Sequence, residues 1–416
     1  MVRGFVVALA LAAPLVAQAP LRSRAAQSEP TTFHRDVERI LQKHCQGCHR
    51  PGEVAPFSLL DYESAWLFSR HIRTAIKTGY MPPWKPVRDE GVKLQFERGL
   101  SEAEIATITR WVDQGAPEGD PADAPEPLTF QSGWPLGEPD MVLEMPAEYA
   151  PDKDGADDYR CFSLAPNLPE KRKIRAIAVE PGNRAIVHHV LLFPDPQAQS
   201  ASLHDPGDPQ PGYTCFGDPG YDPPGFYGGW VPGNTARALP DGVAMTLEGN
   251  ARIALQVHYH PDGTQQTDRT RIGIYFTNEP NPKELLFLPL VDQRFLIPAG
   301  AEGYEVTASF AAPLAARIYA LLPHMHLLGR EISLELSRGG ETQTVIRIDD
   351  WDFDWQDTYW LEEPLLVPAL TRATLRCVYD NSAANPNNPN HPPKDVGWGE
   401  KTTDEMALMF VAVTLE

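Results

Sequence analysis

Val187-His188-His189-Val190-Leu191-Leu192-Phe193 is an apolar run interrupted by two adjacent imidazoles. A run this short, rich in valine, leucine and phenylalanine, reads as a buried strand. Comparable runs follow at Arg252 to His260, Arg317 to Leu328, Thr374 to Tyr379 and Met406 to Leu415. Loops rich in proline and glycine separate them, notably Asp205 to Gly233 and Asn385 to Gly399. Proline accounts for 42 of the 416 residues, which disfavours long helices and suits short strands joined by turns. So many strands exceed one small sandwich. The pattern predicts two tandem all-β sandwiches of jelly-roll type, at residues 136–282 and 283–416, with no sequence repeat between them.

Upstream the period changes. Phe33, Val37, Ile40 and Leu41 fall on one helical face, as do Ala65, Phe68, Ile72, Ala75 and Ile76, with Gly79 as a stop. Ser101 with Glu104 forms a capping box ahead of the stripe Ile105, Ile108, Trp111 and Val112, and Gly115 ends that helix. The expected fold class is therefore multidomain, with a small all-α domain at residues 30–118 ahead of the sandwiches. The stretch Ala116 to Pro139 is rich in Pro, Gly, Asp and Glu, and the linker proper is placed at 119–135.

Residues 1–19 read as a signal peptide. Arg3 precedes a short apolar run from Phe5 to Val16, and Ala17-Gln18-Ala19 resembles a cleavage box. The run is too short to span a bilayer comfortably, and no other apolar run reaches spanning length, so no membrane span is expected. A periplasmic or secreted location follows, where disulfides are permitted. The formal net charge of -20 argues against nucleic acid as a partner, because a phosphate backbone needs a basic face.

Cys45-Gln46-Gly47-Cys48-His49 is a C-x-x-C-H string. Two thiols at this spacing can add to the two vinyl groups of a haem, and the adjacent histidine can ligate its iron. A zinc half-site would need a second ligand pair, and a thioredoxin-like motif a βαβ setting; the sequence offers neither. One covalently bound c-type haem is the expected cofactor. Met81, in Gly79-Tyr80-Met81-Pro82-Pro83, is the candidate sixth ligand, and a thioether there would raise the potential. His71, in mid-helix, is the competitor. This segment resembles a small class I cytochrome c domain.

The β region carries a sparse, ordered set of further donors. His188-His189, His258 in Leu255-Gln256-Val257-His258-Tyr259-His260, His324 and His326 in Leu322-Pro323-His324-Met325-His326-Leu327-Leu328-Gly329, and Met406 in Thr403-Asp404-Glu405-Met406 stand out. In a strand, residues i and i+2 share a face, so His324 and His326 can chelate one metal. Neighbours i and i+1 point to opposite faces, so His188 and His189 share a metal only where the strand bulges or one ring reaches round. His258-x-His260 is a further possible pair. Imidazole with thioether favours copper, and the thioether helps hold Cu(I).

In order and content these strings resemble the copper type II, ascorbate-dependent monooxygenases, the family of peptidylglycine α-hydroxylating and dopamine β-monooxygenases. The resemblance runs from about residue 136 to the end. It implies two coppers: an electron-transfer ion on His188, His189 and His258, and an oxygen-binding ion on His324, His326 and Met406. It implies that His260 is not a ligand, that Met325, Met409 and His391 are packing or loop residues, and that Cys161 and Cys215 form the family disulfide. His204 matches nothing. The family's peptide-amidating member anchors a terminal carboxylate with an arginine and a tyrosine at positions held here by Leu322 and Phe410. The partner expected for Cys377 falls at Ala407, which leaves Cys377 free.

The function expected is hydroxylation of a C–H bond of a small organic substrate with dioxygen. Electrons would come from ascorbate or a redox protein, with the fused haem as replacement or relay. Two rivals stand beside it: a non-catalytic haem and copper relay, and a structural sandwich pair that merely retains copper.

Overall fold

The computed structural model describes residue 1 and residues 29–130, 133–155 and 157–416. Residues 2–19 of the expected signal peptide lie outside the described residues. Most of the regular secondary structure is β-strand, with three α-helices among the described residues: Glu38–His44, Tyr62–Lys77 and Glu102–Asp113.

The helices have the local causes that the sequence suggests. Asp61 caps the second through the backbone of Ser64. Ser101 and Glu104 form a reciprocal capping box on the third, satisfying amides that the first turn leaves unpaired. Phe33, Leu41, Ile108 and Trp111 are fully buried at the centre of a small core. Gly115 follows the third helix at φ +89°, which a side chain would resist.

The chain then builds two sandwiches. The first pairs two five-stranded sheets. One carries Asp158–Leu164, Val187–Asp195 and Arg252–Tyr259; the other carries Arg172–Glu180, Val243–Leu247 and Arg271–Thr277. Their facing apolar residues, among them Phe162, Leu192, Leu255, Ile174 and Ile274, form one core. The second sandwich pairs two four-stranded sheets. One is built on Ala316–His324, Tyr359–Val367 and Ala407–Leu415, the other on Gly329–Arg338, Glu341–Ile348 and Arg372–Asp380. Ile318, Leu321, Val411 and Val413 meet Ile332, Leu334, Ile346 and Leu375 there. The sandwiches share apolar surface: Phe287, Tyr319 and Ala412 lie in the first core, with Leu322 and Phe410 packed against it.

Cys161 and Cys215 are disulfide-bonded, and Cys377 is a buried free thiol. The bridge ties an interior strand to the long Pro/Gly loop.

One segment departs from a simple succession of units. Residues 84–98, between the second and third helices, lie against one open edge of each sheet of the second sandwich. Val87 and Val92 donate backbone N–H groups to Arg347 and Val345 of one edge strand. Gln95 donates to Trp360 of the other edge strand, and Lys93 accepts from Glu362. Trp84, Val92 and Leu94 pack against the second core.

Candidate functional site

The first cluster owes its geometry to a bulge. Pairing between Val187–Asp195 and Arg252–Tyr259 shifts register between Val187 and His189. That extra residue turns two neighbouring imidazoles toward one point, the condition that adjacent histidines require. His188 Nδ1 lies 3.3 Å from His189 Nδ1, which lies 3.2 Å from His258 Nδ1. Like nitrogens gathered this closely suit a cation better than one another. Among the described residues these three are the one group of histidine, cysteine and carboxylate donors close enough to share an ion.

Two neighbours brace His258. Tyr159 stacks on its ring at 4.1 Å and 6°. Asp157 Oδ2 lies 3.1 Å from His258 Nε2, off the line of a good hydrogen bond, and Asp157 Oδ1 accepts from His260 Nδ1 at 2.7 Å. A carboxylate behind a histidine, on the side away from the other donors, is how many metal sites fix ring orientation. The imidazole of His258 foremost, with that of His260, holds the Asp157 carboxyl down to about 2 against the effect of burial. His260 is mostly exposed and engaged with Asp157, outside the cluster of three.

The second pair differs from the strand geometry expected of H-x-H. The strand Ala316–His324 ends at His324, and His326 sits in the turn before Gly329–Arg338. Their rings are 5.1 Å apart and nearly perpendicular, so a turn rather than a pleat brings them together. His324 Nδ1 is 2.5 Å from Gln356 Oε1, and His326 Nδ1 is 3.1 Å from the Asp404 carbonyl. Both oxygens only accept, so each Nδ1 carries the hydrogen and each Nε2 keeps a free lone pair.

Glu405 joins this turn to Met406. Its buried carboxylate accepts from the backbone N–H of His326 at 2.9 Å, Leu328 at 2.6 Å and Met406 at 3.3 Å. Burial nonetheless pushes the group up to about 8. Met406 is buried at the entry to Ala407–Leu415, its carbonyl held by Tyr379 Oη at 2.7 Å.

The two clusters are within electrostatic reach of one another: after burial and the neighbouring His258 and His188, the charge of His324 contributes to depressing His189. Burial pushes His188 and His324 down to about 4, and His189 well below the ordinary 6.5. These imidazoles are therefore neutral at physiological pH, the form that binds metal. The depression also sets an acid limit on the metal-free protein. Below pH 6.5 the unfolded chain takes up protons that the folded chain refuses. The stability cost is absent above 6.5 and grows by roughly 1 kcal/mol per pH unit per group down toward pH 4. Thermal unfolding of metal-free protein should show Tm falling across that window, with a shallower fall in His188→Gln/His324→Gln. Equal slopes in the two proteins would contradict this.

In the helical segment, Cys45, Cys48 and His49 share one turn, with Cys48 and His49 both donating backbone N–H groups to the Cys45 carbonyl, at 3.1 and 2.9 Å. Both thiols are free. Burial pushes Cys45 up to about 12. His49 Nδ1 is 3.2 Å from the Phe57 carbonyl, which leaves Nε2 available, and Phe57 stacks on Phe68 at 3.9 Å. Met81 is half-buried after the second helix, its N–H donated to Ala75 at 3.2 Å.

Asp157, Gln356 and Glu405 carry no sequence signal of their own in the pattern of histidines. Glu405 had the strongest available: it is the second of two adjacent acids, next to Met406 at the head of an apolar strand. His204 and His391 are exposed loop residues, and Met325 and Met409 are fully buried in the second core.

Residues 296–413 match the family described as copper type II ascorbate-dependent monooxygenase, C-terminal domain. DBH-like monooxygenase protein 1 of Homo sapiens is 24% identical over 293 residues, covering 63% of this chain and 44% of that protein. Dopamine beta-hydroxylase of Rattus norvegicus is 26% identical over 282 residues, covering 61% and 42%. DBH-like monooxygenase protein 2 of Mus musculus is 27% identical over 248 residues, covering 53% and 38%. The chain thus spans less than half the length of these curated relatives. Together the matches make this chain similar to the copper type II ascorbate-dependent monooxygenases.

Proposed function

We propose that this chain is an exported copper-dependent monooxygenase that hydroxylates a C–H bond of a small organic substrate, with electrons delivered through an N-terminal c-type haem. The observation that carries the reading is the pairing of two donor sets. Three Nδ1 atoms converge from His188, His189 and His258, and a second set offers two Nε2 atoms kept free by Gln356 and the Asp404 carbonyl. Both sets fit copper: neutral imidazoles for the first ion, and His324, His326 and the Met406 sulfur for the second. The copper ions when bound would activate dioxygen at the second set and supply an electron from the first. The overall balance is RH + O2 + 2 e⁻ + 2 H⁺ → ROH + H2O.

The protein's own residues prepare this chemistry. Tyr159 and Asp157 hold His258 in place. Glu405 fixes the turn of His326 to the start of the Met406 strand. Leu322 and Phe410 are paired across adjacent strands, and Phe410 stacks near Phe226 between the sandwiches, so the neighbourhood of the second set is apolar on that side. Peptides ending in glycine should therefore be poor substrates, because neither side chain can compensate a terminal carboxylate. Efficient amidation of such a peptide would show another anchor.

Cys45, Cys48 and His49 fit a haem: two free thiols and an imidazole Nε2 share one turn after the first helix, beside stacked phenylalanines. Haem should survive denaturation in purified protein and be lost in Cys45→Ala/Cys48→Ala; haem extractable by acidic solvent would contradict the attachment. Met81→Ala should lower the reduction potential, and an unchanged potential would shift the sixth-ligand assignment to His71. The domain limits follow the same reading, with a haem domain at 30–118 and sandwiches at 136–282 and 283–416.

Copper-loaded, reduced protein under labelled dioxygen, followed by mass spectrometry of oxidised small molecules, tests the activity. Label incorporated into product supports hydroxylation. Electron exchange without oxygen uptake or product would leave the chain a haem and copper relay.

A further inference from the structure

The segment Asp350 to Thr358 touches every part of the molecule that the proposed function uses. Lys85 of the helical segment reaches Asp350 at 3.0 Å and Asp352 at 3.4 Å. Tyr80 meets Trp355 edge-on at 6.1 Å. Asp354 lies within electrostatic reach of His258 of the first cluster and of Asp157 and His260 beside it. Gln356 holds His324, and its own Nε2 donates to the Phe353 carbonyl at 2.8 Å, which fixes the direction of its amide.

Asp357 is where these contacts meet. Its carboxylate accepts from Arg98 Nη2 of the helical segment at 2.5 Å, from Asn234 Nδ2 of the first sandwich at 2.7 Å, and from the Thr358 N–H of the second at 2.6 Å. Its side chain is nearly buried, at 10% exposure. Arg98 is tied inward as well: its carbonyl accepts from His44 Nδ1 at 2.9 Å, and His44 immediately precedes Cys45. Gly233, at φ +84°, brings the first sandwich so close that an added Cβ would lie 3.0 Å from Cys48 Sγ and 2.9 Å from Arg98 Nη1. A continuous set of contacts thus runs from Cys45 through His44, Arg98, Asp357 and Gln356 to His324.

We propose that Asp357 is a positioning residue through which the docked helical segment sets the orientation of His324, so that the second donor set is complete only when residues 84–98 are seated. The inference rests on reading His324 as a copper ligand. A mere brace would serve the fold as a whole. This one is placed differently: it lies one residue from the group that fixes the His324 ring, and its partners come from three separate regions of the chain. Residues behind a metal ligand commonly change affinity by about 10- to 100-fold when removed.

The test uses the full chain with a His188→Ala change, so that a single copper reports on the second set. Cu(II) alone is the probe, read by titration and by electron paramagnetic resonance. Asp357→Asn and, separately, Arg98→Met are compared with that parent for copper affinity, spectrum, circular dichroism and Tm. We expect a loss of affinity of about tenfold or more and an altered nitrogen hyperfine pattern in both variants. In the His188-containing chain, affinity at the first set should be unchanged. Should Asp357→Asn fail to fold, Arg98→Met decides, since it leaves the Asp350 to Thr358 segment intact. Wild-type affinity and spectrum in the folded variants would overturn the proposal, as would equal weakening of both sets. A parent that binds no copper at His324 would instead overturn the underlying functional reading and the coupling with it.

Discussion

Met406→Ile is expected to leave the protein folded, with its first copper and its haem, yet almost inactive. Isoleucine keeps the bulk of a side chain that is 5% exposed, so the strand Ala407–Leu415 should hold its place. What disappears is the one sulfur donor proposed for copper. A thioether stabilises Cu(I), the state that must meet dioxygen, and the two imidazoles of His324 and His326 do not replace that preference. His188→Ala should be equally inactive for a different reason, because it dismantles the cluster of three Nδ1 atoms and leaves the second set intact. The two variants separate by spectroscopy. A copper–sulfur contribution in reduced protein should vanish in Met406→Ile and persist in His188→Ala. If both variants kept that signal and full turnover, the assignment of two distinct sites would be wrong.

The second large effect concerns stability. A fragment starting at residue 136 should aggregate or unfold well below the Tm of the full chain. Residues 84–98 cover one edge strand of each sheet of the second sandwich, Glu341–Ile348 and Tyr359–Val367, through four backbone hydrogen bonds and the bridges Pro86–Ile348 and Leu94–Leu361. Removing them uncovers a core on which Trp84, Val92 and Leu94 pack. Three apolar side chains at roughly 2 kcal/mol each, with the hydrogen bonds at about 1 kcal/mol each, amount to a large part of a domain's usual margin. The bare edges would also invite pairing between chains. Thermal melts and light scattering of the fragment, set against the full chain, check this. A soluble monomer with the Tm of the full chain would contradict it.

That strap marks where the sequence stops being legible. The sheets announce themselves in runs such as Val187 to Phe193, and the helices in Ser101 with Glu104 and the stripe behind them. The adjacent His188 and His189 even state the condition under which they cooperate, a bulge, and the register shift lies there. Residues 84–98 have no period and mix charges with single apolar residues. Their partners lie far along the chain, with Gln95 bonded to Leu361 across 266 positions. His324 and His326 keep their expected proximity by a turn, because the strand ends one residue before Met325 and Glu405 pins the backbone beyond it. Gln356 and Asp157 act through tertiary contacts alone. An amide or a carboxylate in a polar loop gives no local hint that an imidazole will face it.

Two separate donor sets should hold two coppers. Anomalous diffraction from crystals of copper-loaded protein, recorded on both sides of the copper edge, tests this most directly. Two copper peaks are expected, one among His188, His189 and His258, and one among His324, His326 and Met406. A single peak, or copper bound away from either set, would contradict it.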